Sequence, residues 1–304
     1  MILVHGGAGL VAAERHDRLR AGVRAAAQAG HAILDAGGHA LDAVVAAVRV
    51  LEDDPEFNAG TGAVLTREGT VETDAAVMDG ETQRVGAVAA VPELGTPTAL
   101  ARAVLDAGEH AILAGPAALR FGAEVGILPA VAGALVTERA RARLDDWLAR
   151  RVPHERPERA ERAERAEREG GTVGAIACDR HGRLAAATST GGILGKRVGR
   201  VGDSPIPGAG TWADLHAAVS ATGDGEAILR VALSRGVAAR IAAGQRLRTA
   251  AIEALRELRG VTGGSAGVIA TDGLELVAVQ LSPTMPVAWV DASGPGDSMG
   301  EQVS

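Results

Sequence analysis

Residues 170–192, GGTVGAIACDRHGRLAAATSTGG, constrain the fold more than any other stretch of the chain. A highly charged, low-complexity segment ends there and a core begins. Thr172 to Ala177 is a run of small, β-compatible residues, Asp179 to Gly182 has turn composition, and Leu184 to Thr190 is a second strand-like run, so the segment predicts a hairpin. Two glycines precede Thr172, which leaves the Gly171–Thr172 peptide without side-chain bulk on its N-terminal side, where a hydroxyl can reach the carbonyl. Period-two alternation puts Thr188 and Thr190 on one face of the second strand, and pairing of the strands brings both towards Thr172. The loop that follows carries Arg200 and Asp203 among glycines, the composition found where backbone comes close to a small ligand. One cation and one anion match the charges of an amino-acid zwitterion. Each piece alone is ordinary, since threonines are common in strands and Arg-Val-Gly-Asp is also turn composition. Their coincidence is what points to a site.

The rest of the chain reads as strands and helices in alternation. Met1 to Val4 predicts a short buried strand, and His5-Gly6-Gly7-Ala8-Gly9 a loop in which His5 is a structural hydrogen-bonding residue. Leu19, Val23, Ala26, Ala27 and Ile33 recur at helical spacing between about Ala13 and Ala36, and Leu41, Val44, Val45, Val48 and Leu51 mark one face of a second helix. The acids of the following LEDDPEFNAG read as a helix end and a proline loop rather than a metal site. Asn58 opens Asn-Ala-Gly-Thr-Gly, which is turn chemistry, although an amide beside exposed backbone N–H groups also suits an oxyanion. A hairpin over Ala63–Gly80 turning at 67–69, a strand over Val85–Val91 and helices over 96–107 and 116–124 come next. Ala140 to Glu169 alternates in charge without an apolar face and reads as a connector.

Beyond the central hairpin, 216–222 predicts a strand running into a helix that starts near Ile228. Thr222-Gly223 then lies at a strand-to-helix junction, where unpaired N–H groups can stabilise an anion. A helix over 245–258 and strands over 266–270, 274–281 and 286–290 close the chain. This order predicts one α+β layered domain spanning 1–304.

Composition narrows the function classes. The net charge of −7 with no basic stripe excludes a nucleic-acid binder. The lone Cys178 excludes an internal disulfide and agrees with a reducing compartment. With no leader-like N-terminus and no long uncharged apolar run, a soluble cytoplasmic protein without a membrane span is expected. No His/Cys cluster has the spacing of a zinc or other transition-metal site.

Four blocks in order resemble plant-type L-asparaginases, also called isoaspartyl peptidases, a family of threonine N-terminal-nucleophile hydrolases. They are HGGAG at 5–9, FNAGTGAVLTREGTVETDAAVMDG at 57–80, GTVGAIACDRHGRLAAATSTGG at 171–192, and GRVGDSPIPGAG at 199–210 followed by AVSATGDGE at 218–226. The resemblance implies a four-layer αββα sandwich made as an inactive precursor that cuts itself between Gly171 and Thr172, giving an α-subunit of 1–171, with the charged linker at about 140–171, and a β-subunit of 172–304. It further implies that Thr172 is the nucleophile and its freed α-amine the base, that Thr190 hydrogen-bonds the nucleophile with Thr188 in support, and that Thr222 and Gly223 form the oxyanion hole near Asn58. Arg200 would hold the substrate α-carboxylate and Asp203 its α-ammonium, with L-asparagine and β-aspartyl dipeptides as substrates. No catalytic cofactor is implied, but a structural sodium on the backbone carbonyls of Leu51, Glu52, Asp54, Phe57, Ala59 and Thr61 is, as is a dimer of cleaved αβ units. The sequence departs from the family pattern at 193–196 and 211–214, both beside the substrate loop.

Three other readings compete. Gly263-Gly264-Ser265-Ala266-Gly267 fits G-x-S-x-G, but a nucleophile elbow needs a strand before the serine and a helix after it, and the order predicted here is the reverse. TGGILGKR lacks the first glycine and the Ser/Thr of a phosphate loop. A glycosylasparaginase would carry Asp before the nucleophile, where this chain has Gly171.

Overall fold

A computed structural model of the protein describes residues 1–150 and 171–303. The chain opens with β1 (Ile2–His5), buried throughout, and folds two helices over it. α1 (His16–Asp35) buries Leu19, Val23, Ala26, Ala27 and Leu34, and α2 (Ala40–Asp53) buries Leu41, Val44, Val48 and Leu51. These are apolar stripes at the expected spacing, with Ile33 and Val45 half-covered at their rims. His39 caps α2, its Nδ1 accepting the Leu41 N–H at 3.0 Å.

β2 (Glu72–Asp79), β3 (Val85–Pro92), α3 (Pro97–Ala107), β4 (Ile112–Ala114), α4 (Ala118–Glu124) and α5 (Glu138–Arg150) follow. The hairpin expected over 63–80 does not form. β2 pairs instead with β3, with a register break between Thr73 and Ala75. The reason is local: Thr66 Oγ1 accepts the N–H groups of Glu68 and Thr70, which closes a turn before any strand can start. Within the stretch read as a connector, α5 is a docked helix, with Ala140 and Leu144 buried against Ala63, Leu65, Val71 and Leu135. The remainder, 151–170 with its Glu-Arg-Ala repeat, lies outside the described residues.

The second half comprises β5 (Val173–Cys178), β6 (Leu184–Thr190), β7 (Thr211–Ala213), β8 (Ala218–Gly223), α6 (Gly225–Val231), α7 (Leu233–Ala242), α8 (Leu247–Thr262), β9 (Ala266–Thr271), β10 (Leu276–Gln280), β11 (Val287–Asp291), β12 (Gly294–Ser298) and β13 (Glu301–Gln302). β4, β7, β12 and β13 go beyond the expected strands; they are too short, or as in GPGDS too poor in β-formers, for alternation to show.

Among the described residues two sheets form, with strand orders β12-β11-β1-β5-β6-β2-β3-β4 and β13-β10-β9-β8-β7. The β5–β6 hairpin occupies the middle of the larger sheet, flanked by antiparallel β1 and β2. Three apolar clusters hold these elements together. One packs Leu19, Val44 and Leu100 of α1–α3 on Val173, Ala175 and Ala187 of the larger sheet. A second joins the sheets through Ile176, Ala186, Ala218 and Ile269. The third packs Val237 and Leu255 of α7 and α8 on Val219 and Val268. The result is a mixed α+β arrangement of two sheets with helices, built from small side chains that allow close approach. No described helix is long and apolar enough to cross a membrane.

Gly30 shows how tight the helix crossing is, because a Cβ there would lie 2.7 Å from the backbone oxygen of Ala43 and overlap Ile2. Gly30→Ala should force α1 and α2 apart at about 1–3 kcal/mol, more than the roughly 1 kcal/mol that alanine gains over glycine in a helix. Thermal unfolding followed by circular dichroism should show a lower Tm; an unchanged or higher one would mean the crossing yields freely.

Candidate active site

Antiparallel pairing sets Val173 opposite Ser189 and Gly174 opposite Thr188. One residue further, the same register sets Thr172 opposite Thr190, so Thr172, Thr188 and Thr190 share the face turned to the smaller sheet. There Thr188 Oγ1 lies 2.8 Å from Ser220 Oγ on β8 and donates to Gly210 O at 3.3 Å. Thr190 Oγ1 accepts the Gly192 N–H at 2.9 Å, closing the turn after β6. Thr172 is buried, and its Oγ1 lies 3.2 Å from Ser204 Oγ. His5 Nε2 is 2.9 Å from Ser220 Oγ, which extends the hydroxyl chain beneath Thr172 to β1. Burial pushes His5 down to about 3, against a smaller opposing influence of the Thr172 backbone, so the ring is neutral near pH 7 and acts in the structural role expected of it.

The peptide before Thr172 is enclosed by backbone. A Cβ on Gly7 (φ +105°) would lie 2.5 Å from both N and O of Gly171, and a Cβ on Gly171 would lie 2.5 Å from Thr222 Oγ1. Thr222 Oγ1 in turn accepts the Ala8 N–H at 3.1 Å. The close approach foreseen for the HGGAG glycines is therefore an approach to Gly171. Gly223 ends β8 at φ +132°, a conformation that favours glycine.

The loop carrying Arg200 and Asp203 is held by residues of β2. Glu72 accepts the Gly199 N–H at 2.9 Å, Asp74 accepts the Gly202 N–H at 3.5 Å, and Lys196 Nζ donates to Glu72 O at 2.9 Å. Arg200 Nε donates to Glu226 Oε1 at 3.0 Å. Arg200 and Asp203 converge where Gly225 has no side chain, since a Cβ there would lie 2.7 Å from Asp203 Oδ1 and 2.8 Å from Arg200 Nη2. Asp203 is buried, its Oδ2 has no partner among the described residues, and burial pushes its carboxyl up to about 7 against the attraction of Arg200.

Asn58 braces the turn after Thr190: its Nδ2 donates to Gly192 O at 2.8 Å and its Oδ1 accepts the Val64 N–H at 2.9 Å. In the 51–61 turn the carbonyls of Asp54, Phe57 and Ala59 each accept one backbone N–H, which leaves each a second lone pair. A Cβ at Gly60 would overlap Glu52 O and lie 2.5 Å from Gly95 O, and one at Gly62 would overlap Phe57 O, so the two glycines let these carbonyls crowd together. Oxygen donors of this kind suit a hard cation. Among the described residues no three His, Cys, Asp or Glu side chains are grouped to hold a metal. Ser265 lies between α8 and β9, the helix-to-strand order expected to disqualify it as an elbow nucleophile.

Four features escaped the sequence reading: Ser204, Gly225, the Arg200–Glu226 pair and, most clearly, Glu52. Glu52 is fully buried, and its Oε1 accepts from Thr98 N at 3.0 Å, Thr98 Oγ1 at 2.5 Å and Ser189 Oγ at 2.7 Å. Ser189 faces away from Thr188 and Thr190, so Glu52 fixes β6 from behind. A polar residue between two threonines, on the face expected to be apolar, is the signal that marks it.

A family model described as asparaginase matches residues 1–295. The chain is 43% identical over 293 residues to the isoaspartyl peptidase/L-asparaginase of Mus musculus, covering 95% of this chain and 87% of that protein. It is 44% identical over 292 residues to the isoaspartyl peptidase/L-asparaginase of Bos taurus, with 95% and 92% covered. To the isoaspartyl peptidase of Salmonella typhimurium it is 41% identical over 298 residues, with 95% and 94% covered.

Burial pushes the Glu52 carboxyl up to about 7, although the bonds from Thr98 and Ser189 favour its ionised form. A folded pKa above the unfolded one means the folded state binds more protons, so this contribution to stability is complete below the ordinary glutamate value of 4.5 and is lost as pH rises through about 7. Melting curves between pH 5 and 8 should therefore show a fall in Tm that is shallower in Glu52→Gln; identical slopes would remove Glu52 as its source.

Proposed function

The chain belongs to the asparaginase family, and from that premise we propose how its residues divide the work of hydrolysing L-asparagine and β-aspartyl peptides. The observation that carries the assignment is the Gly171–Thr172 peptide, packed between Thr222 and the Gly7 loop, with Thr172 immediately before the β5 register that pairs Val173 with Ser189. Thr172 Oγ1 attacks the Gly171 carbonyl, the peptide C–N bond breaks as the new α-amine takes the proton, and water hydrolyses the resulting Gly171–Thr172 ester to give the Gly171 carboxylate and free the hydroxyl. That amine then serves as the base, because an α-amino group titrates near pH 8, about 2 to 3 units below lysine.

In turnover the same hydroxyl attacks the side-chain carbonyl of the substrate. Arg200 holds the α-carboxylate and Asp203 the α-ammonium, with Asp203 Oδ2 as the acceptor awaiting it. Thr222 and the Gly223 N–H stabilise the oxyanion, Thr190 bonds the nucleophile, and Thr188 supports both strands from Ser220. The amine or ammonia leaves with a proton, and water hydrolyses the Thr172 ester to release L-aspartate. Asn58 acts on this site by fixing the turn at Gly192. No step requires a cofactor.

The same reading makes the two sheets and their helices the αββα sandwich of N-terminal-nucleophile hydrolases, supported by the three apolar clusters. It divides the chain into 1–171 and 172–304 and has two cleaved αβ units associate as a dimer in the cytoplasm. The backbone carbonyls of Leu51, Glu52, Asp54, Phe57, Ala59 and Thr61 would hold a sodium ion that stiffens the turn.

Denaturing intact-mass spectrometry tests the nucleophile. The wild-type chain should yield two fragments meeting at Gly171/Thr172, whereas Thr172→Ala should remain one inactive chain; efficient cleavage of that variant refutes the assignment. Asp203 adds a pH signature. With its carboxyl pushed up to about 7, an ammonium must displace a proton at lower pH, so the inhibition constant of L-aspartate should rise as pH falls from 8 to 6, approaching tenfold per unit. A flat profile would take Asp203 out of the ammonium site.

A further inference from the structure

Before the chain is cut, the Thr172 hydroxyl lacks the base assigned to it in turnover. That base is the α-amine of Thr172 itself, and in the intact chain the same nitrogen belongs to a peptide bond. Its lone pair is delocalised into the Gly171 carbonyl, so it accepts no proton until the C–N bond is breaking. A hydroxyl buried away from water then needs an acceptor from elsewhere in the fold.

The uncut chain supplies one in Ser204. Thr172 is 7% exposed, and its Oγ1 lies 3.2 Å from Ser204 Oγ. Among the described residues the Thr172 hydroxyl makes no hydrogen bond to Thr190, whose own Oγ1 accepts the Gly192 N–H. Ser204 is fully buried, and backbone sets its place. Its carbonyl accepts from Thr211 Oγ1 at 3.0 Å, and Asp203 O accepts the N–H groups of Ile206 and Gly210, both at 3.0 Å. The turn is so tight that a Cβ on Gly210 would lie 2.7 Å from Ser204 Cα. Thr211 in turn pairs with Ser220 across β7 and β8. The smaller sheet therefore holds the Ser204 hydroxyl against one carried at the head of β5 in the larger sheet. Ser204 Oγ bonds to no other described group, so Thr172 is the contact that accounts for a hydroxyl at this position.

We propose that Ser204 is the nucleophile's partner for self-cleavage, accepting a hydrogen bond from the Thr172 hydroxyl as Oγ1 attacks Gly171, and that the freed α-amine takes over this role in turnover. The inference rests on the reaction proposed above. In the step itself the Oγ1–C bond forms, the C–N bond breaks and the hydroxyl proton ends on the departing nitrogen, while Ser204 keeps its own proton. Once free, the amine stands on the carbon next to the one that bears Oγ1, a closer acceptor for the same proton. Loss of the Ser204 hydroxyl should therefore slow maturation more than turnover.

Full-length chains made by cell-free translation and sampled over time by denaturing intact-mass spectrometry give the maturation rate. L-Asparagine turnover divided by the cleaved fraction gives kcat per mature chain. Ser204→Ala should mature about tenfold more slowly than wild type, the equivalent of about 1.4 kcal/mol, with a several-fold smaller loss in kcat. Ser204→Cys, close in size but a weak acceptor, should fall between the two in maturation rate and supplies the kcat comparison if Ser204→Ala stays uncut. A Ser204→Ala chain that matures at the wild-type rate, or that loses maturation and kcat in equal proportion, overturns the assignment. So does an uncut Ser204→Ala chain that melts well below uncut Thr172→Ala, because Ser204 then acts through packing; equal Tm values with slower maturation support the proposal. A wild-type chain that never cleaves overturns the reaction and this inference together, whereas wild-type cleavage that is indifferent to Ser204 leaves the reaction intact.

Discussion

Backbone-to-backbone contact between Gly7 and Gly171 is the constraint on which the site depends. Antiparallel pairing of β1 with β5, which sets His5 opposite Gly174, carries the loop after β1 across the peptide before β5. Contact at that distance leaves room for no Cβ on either residue, and Gly7 also needs its positive φ. The same tolerance recurs one layer deeper, where a side chain on Gly174 would overlap Ser220 Oγ and sever the His5–Ser220–Thr188 chain. A side chain at Gly171 would press on Thr222 Oγ1, and one at Gly174 on Ser220 Oγ.

The hairpin was legible because its information is local. Small residues, a polar turn and bounding glycines specify β5 and β6, and alternation alone places Thr188 and Thr190 on one face. Helix stripes in α1 and α2 were legible for the same reason. What escaped was pairing across the chain. Glu52 meets Ser189 at a separation of 137 residues, and although it follows Val45 and Val48 at helical spacing, no local pattern names the partner it finds. Ser204 read as part of a turn until folding set it against Thr172. At 63–80 local chemistry misled, since alternation suggested two strands while the Thr66 hydroxyl favoured a turn. In 140–169 the charge of the whole stretch masked the two buried residues that dock α5.

Buried ionisable groups then fix the loop that carries Arg200 and Asp203 to the sheet. Burial raises Asp74 and lowers Lys196, so each is drawn towards its neutral form, while their mutual attraction works the other way. Asp74 stands at the register break in β2, opposite a stretch of β3 where Ala90 is held at φ +49°, a region unfavourable to residues with a Cβ. Its carboxyl accepts the Ala90 N–H at 2.6 Å and reaches Gly202 on the other side. One acid therefore holds a strained backbone and the loop next to Asp203. Because β2 also pairs with β6, the positions of Arg200 and Asp203 are referred to the strand that carries Thr190.

The two departures from the family pattern sort by what they touch. At 211–214 the chain folds onto itself: Trp212 Nε1 donates to Asp214 Oδ2 at 2.9 Å, and Arg235 lies over the Trp212 ring at 5.0 Å. That is packing, and it leaves those side chains engaged with one another. At 193–196 the anchors are backbone atoms and one buried ammonium, with Gly195 N donating to Leu65 O, Arg67 N to Lys196 O, and Lys196 Nζ to Glu72 O. Leu194 adds a contact with the apolar cluster around Leu65, and the path of the loop is otherwise set without the side chains of Ile193, Arg197 and Val198. Having left the sheet after Thr190, these residues are no longer bound to the alternation that orients the threonines. They can vary while Thr172, the glycine loop and the Arg200–Asp203 pair keep their places.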